Sequence, residues 1–328
     1  MTSERSDLLA DLIDLGGAGL EITELSDAVT MPAVAPGVVR LGVHRGGPMP
    51  GGDLDPFDIL LSVNPSAPAP WVSATPDRLD ATIDALRAAV TAQPVAAATA
   101  AQVLRMTLSL PFDQAVALES LAYSMLLASR NFQAWRAATP IRERADEGPR
   151  VLILADGPGL ELRLNRSAVR NAFDAAMRDE LVEALTFVLE HPDAPPVTLS
   201  GAEPAFSAGG DLDGFGQASD PGEAHLIRTL RSPVRLVHQL GDRLTAHLHG
   251  ACVGAGIEVP AAAARVTARP GTTFRLPEVS MGLIPGAGGT ASLPRRIGRG
   301  RTCYMALSGA EIDLDTARAW GLVDAVEA

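Results

Sequence analysis

The sequence contains no lysine, so all 27 of its strongly basic side chains are arginine. A chain without lysine cannot form a Schiff base through a side-chain amine and cannot anchor pyridoxal phosphate. It also lacks the lysine of a Walker-type phosphate loop. One missing residue type therefore excludes several enzyme classes.

Cysteine is almost as scarce, since only Cys252 and Cys303 occur. Two cysteines do not make a disulfide framework, and they fit a reducing location. Long apolar runs are missing too, because none approaches the ~20 residues that span a bilayer. The start, Met1–Arg5, lacks the basic-then-apolar pattern of a signal peptide. We therefore expect a cytoplasmic protein with no membrane partner.

Positive charge is in deficit, and the net charge is −12. This balance argues against a broad nucleic-acid surface, so no nucleic-acid partner is expected. A few local arginines can still hold the phosphates of a small ligand. The histidines, cysteines and aspartates show no metal-ligand spacing, so no metal site is expected.

The 328 residues, 47% of them apolar, divide into four segments. Residues 1–75 are irregular in pattern and contain β-like runs. Residues 76–138 predict a helical module, and the charged stretch 139–150 predicts a linker. Residues 151–328 alternate strand-like and helix-like stretches, which predicts an α/β domain. Its predicted elements include a hairpin over 151–165 and one helix over 224–240.

The helical module begins with the helix-start pattern Thr75-Pro76-Asp77. Pro94 and Pro111 divide the module, which predicts three helices and a short amphipathic stretch around Trp135. The third helix is predicted over about 113–128, with an apolar face formed by Val116, Leu121 and Met125.

Three segments of the α/β domain carry chemistry. Residues 206–212, FSAGGDL, form a glycine-rich turn after a strand, where exposed amides can bind an anion or merely connect two elements. Residues 249–260, HGACVGAGIEVP, lead into a helix start whose amides can hold an oxyanion, with Glu258 one turn in. Residues 274–290, FRLPEVSMGLIPGAGGT, place Glu278 in an apolar stretch, where a carboxyl is exposed, paired or tuned for proton transfer.

Taken together, these motifs resemble the crotonase (enoyl-CoA hydratase/isomerase) superfamily over residues 151–328. The resemblance implies a crotonase-type spiral of ββα units, here with an added N-terminal helical segment, so the fold class is α/β. It also implies an acyl-CoA substrate, no cofactor beyond the coenzyme A of that substrate, and a homo-trimer or homo-hexamer. The motifs in chain order are LNRSAVRNAF (164–173), FSAGGDL (206–212), HGACVGAGIE (249–258), LPEVSMGLIPGAGGT (276–290) and LSGAEIDLDTARAWGLVD (307–324).

The resemblance also implies roles for particular residues. Glu258 and Glu278 match the two acid/base glutamates of the family's hydratases, and the backbone N–H groups of Ala208 and Ala255 match its oxyanion hole. Ala255 departs from the glycine that the family usually has there. The implied substrate and coenzyme A contacts are Arg166, Ala168, Ala172, Ser207, Gly209, Gly210, Asp211, Leu212, Gly254, Pro277 and Gly286.

A second departure is that the sequence stops soon after GLVD, whereas the family continues into helices that cover the acyl site. The helices of 76–138 resemble that element, especially residues 117–137, so we expect them to occupy the same place. The basic run Arg295, Arg296, Arg299 and Arg301 is either a solvated helix face or a contact to coenzyme A phosphates.

Retaining both glutamates favours hydration of a 2-enoyl-CoA. Other enolate reactions of the family remain open, namely isomerisation, decarboxylation, thioester hydrolysis and cofactor-free oxygenation. A non-catalytic scaffold of the same fold is a third possibility. Cys252 near His249 suggests a thiol nucleophile, but a small buried side chain explains it as well.

Overall fold

The computed structural model describes residues 19–26, 30–32, 35–142, 148–191, 193, 195–218 and 220–327. Met1–Arg5 and residues 143–147 of the predicted linker lie outside these ranges. Within them the protein is a mixed α/β structure, as the sequence predicts. No helix in the described part of the chain is long and apolar enough to cross a bilayer.

A four-stranded, fully parallel sheet forms the N-terminal segment. Its inner strands coincide with the β-like runs of the sequence, whose apolar side chains pack on both faces. Only a part of this sheet is visible in the sequence pattern, because the outer strands are short or half-exposed. The strands are β1 (Leu20–Glu24), β2 (Val39–His44), β3 (Ile59–Ser62) and β4 (Val72–Ser73).

Four helices follow, and their breaks fall at Pro94 and Pro111 as predicted. They pack against two helices near the C-terminus of the chain, so the N-terminal module lies on the α/β core. One direct link is the Thr107 hydroxyl, which donates to the carbonyl of Thr290 at 2.7 Å. The four helices are α1 (Pro76–Ala92), α2 (Pro94–Thr107), α3 (Phe112–Leu127) and α4 (Arg130–Ala138).

The core contains a six-stranded sheet in the order β13-β10-β8-β7-β6-β5 and a three-stranded sheet in the order β12-β11-β9. Pairing is parallel except between β5 and β6, which form the predicted hairpin, and between β11 and β12. The strands are β5 (Val151–Asp156), β6 (Gly159–Leu164), β7 (Val197–Gly201), β8 (Leu244–Leu248), β9 (Ala251–Val253), β10 (Arg265–Ala268), β11 (Thr273–Arg275), β12 (Ile312–Asp313) and β13 (Ala325–Val326).

The core helices pack against these sheets. One long helix expected over 224–240 is in fact two, because Pro233 interrupts it. The helices are α5 (Ala175–Glu190), α6 (Pro221–Leu230), α7 (Pro233–Leu240), α8 (Ala255–Glu258), α9 (Gly289–Ile297), α10 (Arg299–Ser308) and α11 (Leu314–Trp320).

Arginines of the basic run after the GAGGT turn contact the N-terminal half of the chain. Arg295 donates to the carbonyls of Thr107 and Leu110 in the helical module. Arg301 is buried and donates to the carbonyl of Trp71. These guanidinium groups therefore attach the N-terminal half to the core.

Candidate active site

A cavity of about 790 Å³ lies between the helical module, α6 and the core. Glu258, Glu278 and Ala255 of the core line it, and Glu119 and Tyr123 of α3 line its other side. Residues from both halves of the chain therefore form one site.

Glu258 is the last residue of the short helix α8 and is almost fully buried. Its Oε2 atom accepts hydrogen bonds from the amides of Ala287 at 2.7 Å and Gly289 at 2.9 Å. Gly289 tolerates no side chain, because a Cβ there would lie 2.6 Å from Glu258 Cγ. The glycine-rich loop thus holds one oxygen of this carboxyl in a fixed position.

Glu278 begins a 3₁₀ turn, Glu278–Met281, and is also buried. Its Oε1 atom lies against Gly254, where a Cβ would approach to 2.3 Å. Its Oε2 atom is buried and has no hydrogen-bond partner among the described residues. A buried carboxyl oxygen without a partner is costly, so this atom is suited to a ligand or substrate proton.

Glu119 is a third buried carboxyl that the sequence analysis did not single out. It accepts hydrogen bonds from the amides of Gly288 at 2.6 Å and Thr290 at 2.7 Å, and from the Thr290 hydroxyl at 2.7 Å. The amides of residues 287–290 therefore alternate between Glu258 and Glu119. A lone acid in the apolar stretch ALESLAY was the only signal for it in the sequence.

The three carboxyls share one water-poor site, which penalises their charged forms. Burial raises the pKa of Glu258 to about 7, while the loop amides oppose this shift. Burial and the charge of Glu258 raise the pKa of Glu119 to about 8. The same two causes raise the pKa of Glu278 well above its ordinary value. Glu278 has the fewest hydrogen-bond donors around it, so its surroundings favour its protonated form.

The amides that face the cavity differ in part from those predicted. The N–H of Ala208 donates to the carbonyl of Arg170 at 2.8 Å, so it cannot bind a substrate oxygen. Arg170 reaches this position through a left-handed backbone, with φ of 53°. Gly210 and Ala255 line the cavity, and the amide of neither has an acceptor among the described residues. Gly210 is therefore a better candidate than Ala208 for a donor to the substrate oxygen.

Comparisons with known proteins identify the family of the chain. The sequence model of the enoyl-CoA hydratase/isomerase family matches residues 160–328, which is just over half of the chain. The chain belongs to this family, within the crotonase superfamily.

Solved structures match a similar share of the chain. An enoyl-CoA hydratase from Thermoplasma volcanium has 29% identity and a TM-score of 0.50, over 55% of this chain and 72% of that one. An enoyl-CoA hydratase from Bacillus anthracis has 32% identity and a TM-score of 0.50, over 54% of this chain and 70% of that one. Glu119 and Tyr123 lie outside the residues that match the family.

The other predicted contacts of this crotonase fall into two groups. Arg166, Gly210, Asp211 and Gly286 line the cavity, and Arg166 pairs with Asp211 at 3.0 Å. The remaining predicted contacts do not line the cavity, and one of them, Ala168, is exposed. These residues are Ala168, Ala172, Ser207, Gly209, Leu212, Gly254 and Pro277.

The surroundings of Cys252, the alternative candidate nucleophile, do not favour a reactive thiolate. Cys252 is fully buried in strand β9, and burial raises the pKa of its thiol. His249, itself buried, does not line the cavity that contains the glutamates. The pair therefore supports packing rather than nucleophilic chemistry.

Proposed function

We propose that this crotonase is an enoyl-CoA hydratase, which adds water across the double bond of a 2-enoyl-CoA. The observation that carries the proposal is the pair Glu258 and Glu278, two buried carboxyls in one cavity with unequal hydrogen bonding. Hydration needs both an ionised and a protonated carboxyl, since water is activated at one carbon while a proton reaches its neighbour.

In the proposed reaction the thioester oxygen accepts hydrogen bonds from the amides of Gly210 and Ala255. Glu258, fixed through Oε2, polarises water through Oε1 for attack at the β-carbon. The electron pair moves toward the thioester oxygen, and the two amides stabilise the resulting enolate. Glu278 then delivers its proton to the α-carbon, while Glu258 takes up the proton that the water loses. Transfer of this proton from Glu258 to Glu278 returns the pair to its starting state. No separate cofactor takes part.

The helical module forms part of the cavity wall. We propose that residues 76–138 occupy the place of the C-terminal helices that the family resemblance leads one to expect. The support is that α3 supplies Glu119 and Tyr123 to the cavity wall and packs against α9.

The test of the reaction is incubation with a panel of 2-enoyl-CoA thioesters of different length. Loss of the absorbance of the conjugated thioester, together with a product heavier by one water, is the expected result. Thermal stabilisation by coenzyme A without turnover of any thioester would instead support a scaffold. A product of unchanged mass with a shifted double bond would indicate an isomerase.

A further inference from the structure

Among the residues that the structure describes, six arginines line the active-site cavity, and five of them have a carboxylate partner. The pairs are Arg142–Asp213, Arg150–Asp174, Arg166–Asp211, Arg178–Asp179 and Arg231–Glu183, at 2.9 to 3.8 Å. The sixth, Arg228, has no carboxylate within 4 Å in the described part of the chain.

Arg228 lies in the last turn of α6 and is half-buried against α3. Its Nε atom donates to the Ser120 hydroxyl at 3.2 Å, and its Nη2 atom donates to the Ser120 carbonyl and the Ser124 hydroxyl. Its Nη1 atom makes no hydrogen bond to the described residues. Neutral hydroxyl and carbonyl groups hold this side chain in place and leave its charge uncompensated.

The nearest charges do not compensate it either. Arg178 has the same sign and is itself paired with Asp179. Glu119 is close enough to interact, but it forms no ion pair with Arg228, and burial raises its pKa to about 8, which favours its neutral form at neutral pH. A partly buried cation without a counter-ion is unfavourable unless a ligand supplies the negative charge.

The position of Arg228 indicates which part of a substrate would meet it. Its guanidinium carbon lies 4.8 Å from the centre of the Tyr123 ring. The edge of the same ring lies against Gly286, at the start of the loop that holds Glu258. Only the Tyr123 ring therefore separates Arg228 from the loop that holds Glu258. The phosphates of coenzyme A lie far from the thioester because the long pantetheine arm separates them, so Arg228 is better placed to meet the acyl group.

We propose that Arg228 binds a carboxylate at the far end of the acyl group, so that the substrate is a thioester of a dicarboxylic acid. The inference rests on the proposed function, because it takes the thioester to lie at the Gly210 and Ala255 amides. Charge-assisted hydrogen bonding from Nη1 provides the recognition. Tyr123, stacked under the guanidinium, fixes its plane.

Binding of saturated thioesters tests this inference without any turnover. Glutaryl-CoA and adipoyl-CoA end in a carboxylate, and pentanoyl-CoA and hexanoyl-CoA are their neutral counterparts of equal length. We expect the wild type to bind at least one acidic thioester about 10- to 100-fold more tightly than its neutral counterpart, as measured by calorimetry. Arg228→Gln should abolish the difference, and Arg228→Lys should keep part of it.

The control is Arg265→Gln, which removes one positive charge from an exposed position outside the cavity and should leave the preference intact. Equal affinity of the wild type within every pair would overturn the inference. So would an Arg228→Gln variant that weakens acidic thioesters, neutral thioesters and free coenzyme A alike, because that pattern indicates a phosphate contact. If Arg228→Gln does not fold, the wild-type ratio and Arg228→Lys decide.

The two proposals fail separately. A clear preference for acidic thioesters, with no hydration of any enoyl-CoA, would refute the hydratase and leave this inference standing. If the protein hydrates neutral enoyl-CoA thioesters but does not prefer acidic ones, the hydratase proposal stands and the role of Arg228 is refuted.

Discussion

Glu258 and Glu278 have unequal surroundings, although both are buried in one cavity. Two loop amides bind Glu258, whereas Glu278 has an oxygen without a partner. This difference supports the proposed roles, in which Glu258 is ionised and Glu278 is protonated. The sequence motifs predict both residues, and the contacts add a physical difference between them.

Replacing either glutamate by glutamine should abolish most of the hydration. We expect Glu258→Gln and Glu278→Gln each to lower kcat by roughly 10²–10⁴, because each removes one proton-transfer group. Circular dichroism and the unfolding midpoint should show that both variants remain folded. A severe loss in only one variant would support an isomerase, since moving a proton between two carbons needs one base.

Glu119 should affect both the rate and the pH dependence of stability. All three carboxyls have pKa values above those of free glutamate, so the folded protein binds more protons than the unfolded chain above about pH 4.3. Their contribution to stability is therefore greatest at low pH and declines as the pH rises through the folded values near 7 and 8. Glu119→Gln removes one of these groups, so the decline should become shallower.

The rate should fall as well, by roughly 10- to 100-fold, because the loop that aligns Glu258 loses an acceptor. The measurements are unfolding midpoints from pH 5 to 9 and kcat at neutral pH. Glu311→Gln, at an exposed site away from the cavity, is the matched control and should change neither. An unchanged slope of stability against pH in Glu119→Gln would refute the shared site.

At the level of elements, the helices of the N-terminal module were predictable, but the buried face of α3 was not. Val116 is buried as expected, whereas Leu121 and Met125 are 56% and 55% exposed. The buried face contains Glu119 and Ser120 instead. Hydrophobic periodicity misreads this helix because its inner face lines a polar site. The outer strands of the N-terminal sheet were missed because their side chains are few and half-exposed.

Gly254, in the turn before α8, lies against the carboxyl of Glu278 and next to that of Glu258. Gly254 has φ of +49°, and a Cβ there would meet Glu278 Oε1 at 2.3 Å. Gly254→Ala should therefore displace Glu278 and reduce kcat at least about tenfold, in addition to destabilising the turn by about 1–3 kcal/mol.

Gly271→Ala separates these two effects. Gly271 also has a positive φ, of +80°, but nothing lies within 4 Å of its Cβ position. The Gly271→Ala variant should therefore have a lower free energy of unfolding but an unchanged kcat. Equal kcat in the two variants would mean that the contact with Glu278 has no catalytic consequence.

For the whole molecule, the covalent linker should be dispensable once the protein has folded. Several hydrogen bonds join the helical module to the core. Thr290 donates to Glu119, Thr107 donates to Thr290, and Arg295 donates to Thr107. A protease site placed between Arg142 and Gly148 should give fragments that co-elute and retain hydratase activity after cleavage. Separation of the fragments, with activity intact in the C-terminal one, would contradict a shared site.

The trimer or hexamer implied by the family resemblance remains a prediction. Helices α3 and α6 pack together, and each exposes a pair of apolar side chains four residues apart, Leu121 with Met125 and Leu226 with Leu230. Burying these pairs against another copy would stabilise an assembly. Light scattering should give a mass of three or six chains, and a monomer would refute this expectation.

The order of the two halves has a consequence for synthesis on the ribosome. Glu119 is translated 171 residues before Thr290, the partner that fixes its carboxylate. At typical elongation rates this gap lasts roughly 10–35 s. During that time the nascent α3 has a carboxyl and an apolar surface with no core to cover them. We therefore expect the helical module to stay incompletely packed until the last quarter of the chain, which contains Thr290, has been synthesised.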